Sequence, residues 1–246
     1  MVMTSLNDAV LNTLNGAILY DRSILSQVSD EIFLISSWKN SSKISNQYQS
    51  GGRGETFIIS NNGQEFVLRH YNRGGYLAKF NRDSYFWLGQ EKTRPFLEWR
   101  LLKKLFDLGL PTPKPVAARY TRRGMFYHSD IITVQIPNIQ PLSSMLMEND
   151  IKNDFWYSLG STIYRFHRAG VFHADLNCHN IQIDTNGKIW ILDFDRGQIL
   201  APGTWQKNNL KRLQRSLKKV SKQNLNFKYN DMIWKKIAEG YDSRSS

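Results

Sequence analysis

The chain of 246 residues carries 33 Lys+Arg against 21 Asp+Glu, a formal net charge of +12, and a single cysteine, Cys178. With 41% hydrophobic and 13% aromatic residues it can bury a core, which excludes a disordered tail. One thiol excludes an intramolecular disulfide framework and fits a reducing compartment, most simply the cytoplasm. No apolar run approaches the roughly 20 residues of a spanning helix, and Met1-Val-Met-Thr-Ser-Leu-Asn-Asp8 has neither the basic nor the apolar part of a secretory leader. The expectation is a soluble protein, or one held only at a membrane surface. The charge is uneven: residues 204–246 hold 11 Lys+Arg against 3 Asp+Glu. Such a surplus suits an anionic membrane, a nucleic acid or a phosphorylated and carboxylated substrate, or it is a solvated basic helix.

Residues 1–50 say little; Ala17-Ile-Leu-Tyr20 and Glu31-Ile-Phe-Leu-Ile-Ser36 read as short strands, with a polar Ser- and Asn-rich loop behind them. Gly51-Gly-Arg-Gly54 then precedes the strand candidate Phe57-Ile-Ile-Ser60. Lacking β-carbons, Gly51, Gly52 and Gly54 would let backbone approach phosphate oxygens. Alone the stretch is a plain hairpin turn, and its place ahead of a strand pair is what makes it a phosphate-loop candidate. Asn61-Asn-Gly63 signals a hairpin, and Glu65-Phe-Val-Leu-Arg-His-Tyr71 is the returning strand, with Val67 and Arg69 on one face. Arg73-Gly-Gly75 offers a further anion-binding turn.

Residues 93–109 predict one helix, with Thr93 at its cap, Pro95 in its first turn, and Gly109 and Pro111 closing it. Glu98, Leu101, Leu102 and Leu105 share a face. An acid on an apolar stripe needs a cation, and Arg69 is the candidate; an exposed helical glutamate is the ordinary alternative. Leu110-Pro-Thr-Pro-Lys-Pro115 is a stiff connector, strands follow over residues 116–120 and 125–136, and a lobe boundary falls near 137–141. Residues 154–170 predict a long helix with Trp156, Leu159, Ile163 and Phe166 as its stripe and Gly170 as its stop; His167 near its end reads as structural.

That helix leads into Val171-Phe-His-Ala-Asp-Leu-Asn-Cys-His-Asn180 and, past the turn Thr185-Asn-Gly-Lys188, into Ile191-Leu-Asp-Phe-Asp195. His173, Asp175 and Asn180 form an H-x-D-x-x-x-x-N pattern. Asn180 opens one predicted strand and Asp193 closes its partner, which sets both at the same end of adjacent strands. Phosphoryl transfer from ATP needs such a set: a carboxylate facing the attacking hydroxyl, Asp175, and an amide oxygen and second carboxylate, Asn180 and Asp193, holding Mg²⁺ at the phosphates. His173 braces the loop, Asp195 and His179 are ambiguous, and Cys178 lacks the partners of a thiol nucleophile.

In such a site Arg69, paired with Glu98, would bridge the nucleotide α/β-phosphates, and backbone groups near residues 135–138 would face adenine. Lysine is the usual residue there, and arginine's planar fork is not a compact ammonium, which is the clearest departure from protein kinases. Asp195 stands where a D-F-G triplet ends in glycine, and only about fifty residues follow it, without A-P-E and without room for a full set of helices. A small-molecule, sugar or lipid acceptor suits that better than a peptide. Residues 205–219 predict a basic helix with Leu210, Leu213 and Leu217 on one face, able to dock on the lobe while presenting cations to an anionic acceptor or membrane.

Val67-Leu-Arg-His-Tyr-Asn-Arg-Gly-Gly75, Thr93-Arg-Pro-Phe-Leu-Glu98, Gly109-Leu-Pro-Thr-Pro113, His173-Ala-Asp-Leu-Asn-Cys-His-Asn180 and Leu192-Asp-Phe-Asp-Arg-Gly197 together resemble the Kdo kinases of Gram-negative bacteria, a lipopolysaccharide kinase family of the protein-kinase-like superfamily. Kdo is 3-deoxy-D-manno-octulosonic acid. The resemblance runs through most of the chain from about residue 50. It implies an α+β, bilobal protein-kinase-like fold, with a β-rich N-lobe over residues 1–138 and a truncated, mainly helical C-lobe over residues 139–246. It implies ATP and Mg²⁺ as cofactors, Asp175 as the catalytic aspartate, and a family pattern that includes the arginine at 69. The implied reaction is phosphorylation of the 4-hydroxyl of Kdo on Kdo–lipid IVA, at the cytoplasmic face of the inner membrane, by a peripheral protein with no nucleic-acid or stable protein partner. Rival readings are a heptose kinase, an aminoglycoside- or choline-type phosphotransferase, a catalytically inactive kinase fold serving as a binding module, and a basic binding module for nucleic acid.

Overall fold

In the first half of the chain, short apolar runs form strands, some buried almost throughout and one alternating between buried and half-exposed residues, and those strands pair into an antiparallel sheet. The computed structural model describes residues 7–43, 56–61, 63–72, 84–148, 151, 154–224 and 226–243. It divides into two compact units, Met1–Lys104 with Pro113–Gln135, and Leu105–Thr112 with Ile136–Ser246.

The first unit contains β1 (Asp8–Thr13), β2 (Gly16–Asp21), β3 (Ser41–Lys43), β4 (Thr56–Asn61), β5 (Gln64–His70), β6 (Tyr85–Phe86), most of α1 (Arg94–Asp107), β7 (Pro115–Arg123) and β8 (Phe126–Val134). The sheet runs β1-β2-β7-β8-β5-β4-β3, and β6 pairs with β8. Ile18, Ile59, Phe66, Leu68, Val116, Ala117 and Ile132 pack together with Phe33 as its core. Along β5 the inward residues are Phe66 and Leu68, which turns Val67 and Arg69 to the opposite side as expected. The predicted turn is present too, with Asn61 opposite Gln64.

Residues 31–36 are not a strand. They form two 3₁₀ turns, Asp30–Phe33 and Ile35–Ser37. Ser29 accepts a hydrogen bond from the Glu31 amide at 3.3 Å, and the Trp38 indole donates to the Ile32 carbonyl at 3.0 Å. These local bonds draw the backbone out of a ladder and put Phe33 into the core, with Ile32 and Trp38 packed partly buried against it. Helix α1 buries Phe96, Trp99, Leu102 and Leu105. Gly109, at φ +67°, ends it: the Leu110 amide reaches back to the Leu105 carbonyl at 3.0 Å, a left-handed cap that glycine adopts without strain.

The second unit adds β9 (Ile139–Pro141), α2 (Leu142–Glu148), α3 (Phe155–Arg168), β10 (Val171–Phe172), β11 (Ile181–Asp184), β12 (Ile189–Ile191), β13 (Gln198–Ile199), α4 (Thr204–Gln223) and α5 (Asp231–Asp242). Its strands pair as β12-β11-β9 and β10-β13. Trp156, Leu159, Ile163 and Phe166 are the buried stripe of α3, as predicted. A mainly helical second half was expected, but neither α2 nor α5 was placed within it. Helix α5 crosses α3 through two glycines: a β-carbon on Gly160 would lie 2.0 Å from the Ile237 carbonyl oxygen, and one on Gly240 2.0 Å from that of Tyr157. The backbones touch there, so side chains at those positions are excluded.

Candidate active site

In the first unit Arg69 and Glu98 form the expected ion pair. One nitrogen, Arg69 Nη2, donates to both Glu98 carboxylate oxygens at 2.7 and 2.6 Å, and the Tyr71 hydroxyl donates to Glu98 Oε2 at 2.5 Å. Glu98 is 4% exposed, so these bonds are what make burial of its charge tolerable. Tyr71 follows Arg69 by two residues and shares its face, and the guanidinium also lies over the tyrosine ring, 4.7 Å from its centroid. The contact to Glu98 passes through a single nitrogen, as an ammonium contact would. Gly51, Gly52 and Gly54, and Arg73-Gly-Gly75, lie outside the described residues.

In the second unit the catalytic-loop candidates are set by strand ends and by α4. His173 is buried; its Nε2 donates to the Leu192 carbonyl at 2.9 Å, and its Nδ1 accepts from the Asp175 amide at 3.1 Å. The carbonyl can only accept, so the ring is the neutral Nε2–H tautomer. Burial pushes its pKa below the ordinary histidine value, against the smaller pull of the Leu192 bond and of Asp193 and Asp175. His173 therefore braces the loop, as expected. Phe194 packs beside it, with ring centroids 4.8 Å apart, and stacks on Phe166 of α3.

Asp175 is half exposed. Arg212 of α4 grips one of its oxygens, Oδ1, through Nε at 2.9 Å and Nη2 at 2.7 Å. Among the described residues Oδ2 accepts no hydrogen bond. Asn180 spends its side-chain nitrogen on the Asp175 carbonyl at 2.8 Å, which leaves its Oδ1 as the atom it can offer. The Leu192 amide bonds the Asn180 carbonyl at 2.9 Å, so Asp193 begins where Asn180's neighbouring strand ends. Asp193 adopts φ +62°, a left-handed conformation that costs energy for a non-glycine residue and is typical of residues held in place for a site. Two oxygen donors, one amide and one carboxylate, fit Mg²⁺, which keeps several waters and asks the protein for few ligands.

The sequence reading missed the splint beneath this loop. Asn209 of α4 is 3% exposed; it accepts from the His173 amide at 3.1 Å and donates to the His173 carbonyl at 2.9 Å. One turn on, Arg212 holds Asp175, and one turn further Ser216 accepts from the Cys178 amide at 3.2 Å. Asn209, Arg212 and Ser216 are spaced i, i+3, i+7, so one helical edge follows the loop. The apolar edge is Leu213, Leu217 and Val220 with Asn209, and Leu210 is only half-buried. The signal available beforehand was a polar stripe beside the leucines. Cys178 is buried with its thiol pKa pushed up by burial, an inert thiol.

His167 is structural, as expected. Its Nδ1 lies 2.8 Å from the Tyr241 hydroxyl and its ring meets Trp205 edge-on. Burial lowers its pKa from 6.5 to about 4. A depressed folded-state value means that the unfolded chain binds the proton first. Stability from this group is intact above about pH 6.5 and drains as pH falls toward 4, up to about 3 kcal/mol. Urea unfolding from pH 7.5 to 4 should show this loss, and His167→Gln should flatten it; an unchanged slope in the variant would show that His167 charges freely in the fold.

A bound carboxylate at a loop tip, with an amide oxygen and a second carboxylate at neighbouring strand ends, is the arrangement of a protein-kinase-like phosphotransferase. The model of the Lipopolysaccharide kinase (Kdo/WaaP) family matches residues 37–241, and the chain belongs to that family. It is similar to proteins named 3-deoxy-D-manno-octulosonic acid kinase. One from Xylella fastidiosa strain M23 is 39% identical over 92% of this chain and 90% of the relative. One from Stenotrophomonas maltophilia strain R551-3 is 43% identical over 83% and 81%. One from Vibrio parahaemolyticus is 37% identical over 88% and 91%. The chain is thus an ATP-dependent phosphotransferase acting on a sugar hydroxyl. Its α+β architecture is that of the kinase-like fold.

Proposed function

We propose that the chain transfers the γ-phosphoryl group of ATP to the 4-hydroxyl of Kdo on Kdo–lipid IVA, with Mg²⁺ and at the cytoplasmic face of the inner membrane. The observation that carries the chemistry is Asp175, with one carboxylate oxygen held by Arg212 and the other accepting no hydrogen bond among the described residues. Oδ2 receives the acceptor hydroxyl and takes its proton as the hydroxyl oxygen bonds to the γ-phosphorus. The bond from that phosphorus to the β–γ bridging oxygen breaks, and ADP leaves. Arg212 offsets the carboxylate's charge while an anionic sugar approaches.

Asn180 Oδ1 and the Asp193 carboxylate would hold Mg²⁺, which when bound supplies positive charge against the phosphates. Arg69, fixed by Glu98, would contact the α/β-phosphates, and Gly51, Gly52 and Gly54 would supply backbone to them. The acceptor assignment is supported by the relatives' name and by the basic surplus of residues 204–246, which suits an anionic acceptor. The membrane assignment is supported by the exposed Lys207, Lys211, Arg215, Lys219 and Lys222 of α4. No helix among the described residues is long and apolar enough to cross a membrane.

The test is ATP turnover with Kdo–lipid IVA against heptosylated lipid, free sugars, aminoglycosides and peptide, with the phosphorylated carbon located by NMR. Turnover on the Kdo acceptor alone, with phosphate at position 4, is the expected result. Transfer only to a non-Kdo acceptor would overturn the substrate, and no transfer to any of them would favour a binding module.

A further inference from the structure

Fifteen described large hydrophobic residues stand exposed, which by itself is ordinary for a protein surface. Four of them form a cluster. At one end of the sheet in the first unit, Leu14 is 97% exposed, Leu88 65%, Met125 64% and Phe86 52%. Three segments bring them together, and main-chain hydrogen bonds tie those segments side by side. Leu14 tips the β1–β2 hairpin, whose Asn15 carbonyl accepts from the Arg122 amide at 2.6 Å. Arg122 and Arg123 end β7, and Gly124 and Met125 make its turn into β8. The Met125 carbonyl in turn accepts from the Trp87 amide at 2.9 Å, which places β6 and Leu88 next in line.

Alternation along residues 85–88 explains the exposure. Tyr85 and Trp87 turn inward, to rings of Tyr127 and Tyr120, and so Phe86 and Leu88 must turn outward. The Phe86 ring meets Phe126 edge-on, which extends the apolar tip. Arg122 lies over the Trp87 ring at 5.0 Å from the centroid, and both Arg122 and Arg123 are exposed. Residues 13–16, 84–89 and 121–126 include these two arginines and no acidic residue.

We infer that this sheet end is a membrane-seating surface, with Leu14, Phe86, Leu88 and Met125 entering the headgroup–acyl boundary of an anionic bilayer and Arg122 and Arg123 meeting lipid phosphates. The inference rests on the reading that the acceptor is a membrane glycolipid. The occupant is argued from the shape and charge of the tip. The apolar residues lie on adjoining turns and a strand end rather than across a broad flat face, and arginines without carboxylates complement anionic headgroups better than a mixed-charge protein surface. Aromatic and basic residues flanking apolar ones is also the composition found at bilayer interfaces. The lysines of α4 attract at a distance and are screened by salt, whereas inserted side chains hold at high salt.

The experiment uses the full chain with vesicles of phosphatidylethanolamine and phosphatidylglycerol, and with phosphatidylcholine vesicles for comparison. Leu14→Ser/Leu88→Ser/Met125→Ser is expected to weaken flotation with the anionic vesicles by about tenfold or more, mostly in its salt-resistant part. Its melting temperature and its turnover on detergent-dispersed acceptor should stay near those of the unaltered chain. A polarity-sensitive dye on Met125→Cys, with Cys178 buried and unreactive, should shift to the blue on vesicle addition. Equal flotation of the triple variant, or a dye that does not shift, would overturn the membrane seat. So would self-association of the chain in sedimentation that the triple variant abolishes, because the occupant would then be a second copy. These readouts need no Kdo turnover, so failure of the substrate assignment shows in the acceptor assay alone.

Discussion

Asp175→Asn is expected to reduce phosphoryl transfer by about 10² to 10⁴-fold, the usual contribution of a positioned general base, while ATP binding is largely kept. The substitution preserves shape but cannot take a proton, and it removes the negative half of the pair with Arg212. Because Asp175 is half exposed, the fold should tolerate the change, and the melting temperature should move little. Arg212→Ala separates the two effects. It leaves the base in place but frees Oδ1, and loss of a hydrogen bond to a charged group should cost roughly 10- to 100-fold, with Arg212→Lys intermediate. Single-turnover transfer from labelled ATP, with nucleotide affinity measured separately, would read both. Near-native transfer by Asp175→Asn would remove the mechanism, and near-native transfer by Arg212→Ala would leave Arg212 a surface ion pair.

What the sequence made legible follows from which rules are local. The period of β5 and that of α1 each put one charge on a definite face, so Arg69 and Glu98 could be paired across 29 residues before any coordinates. That Asn180 and Asp193 fall at the same end of neighbouring strands was legible because the turn at residues 185–188 folds those strands back on each other. The apolar run Ile32-Phe-Leu-Ile35 reads as a short strand, but Ser29 and Trp38 side chains bond the local backbone, and the run carries no trace of that. Helix α4 was recognised as amphipathic and basic. Its work on the loop was invisible because Asn209 satisfies a backbone 36 residues away, and a buried asparagine in sequence looks like an exposed one. Helix α5 escaped because Gly240, which weakens a helix by propensity, is what lets it lie against α3.

The Arg69–Glu98 pair gives the sharper test of function, because stability and activity should part company there. Glu98→Ala removes one member of a buried pair and leaves Arg69 and the Tyr71 hydroxyl without that acceptor. The expected loss is about 3 to 5 kcal/mol, a large part of the margin of a typical domain. Replacing all three groups, Arg69→Met with Tyr71→Phe and Glu98→Leu, removes both sides of the Arg69–Glu98 and Tyr71–Glu98 bonds together, and apolar replacements of buried ion pairs are often neutral. That variant should recover most of the stability in urea unfolding. Its activity should not return: loss of a fixed cation at a developing phosphate charge costs roughly 10² to 10³-fold. If the triple variant stayed as unstable as Glu98→Ala, the pair would be holding the fold. If it were stable and also active, Arg69 would have no business with the nucleotide. A stable and inactive protein would mean that this buried charge is retained for phosphate binding, since the sheet and α1 would then have been shown to pack without it.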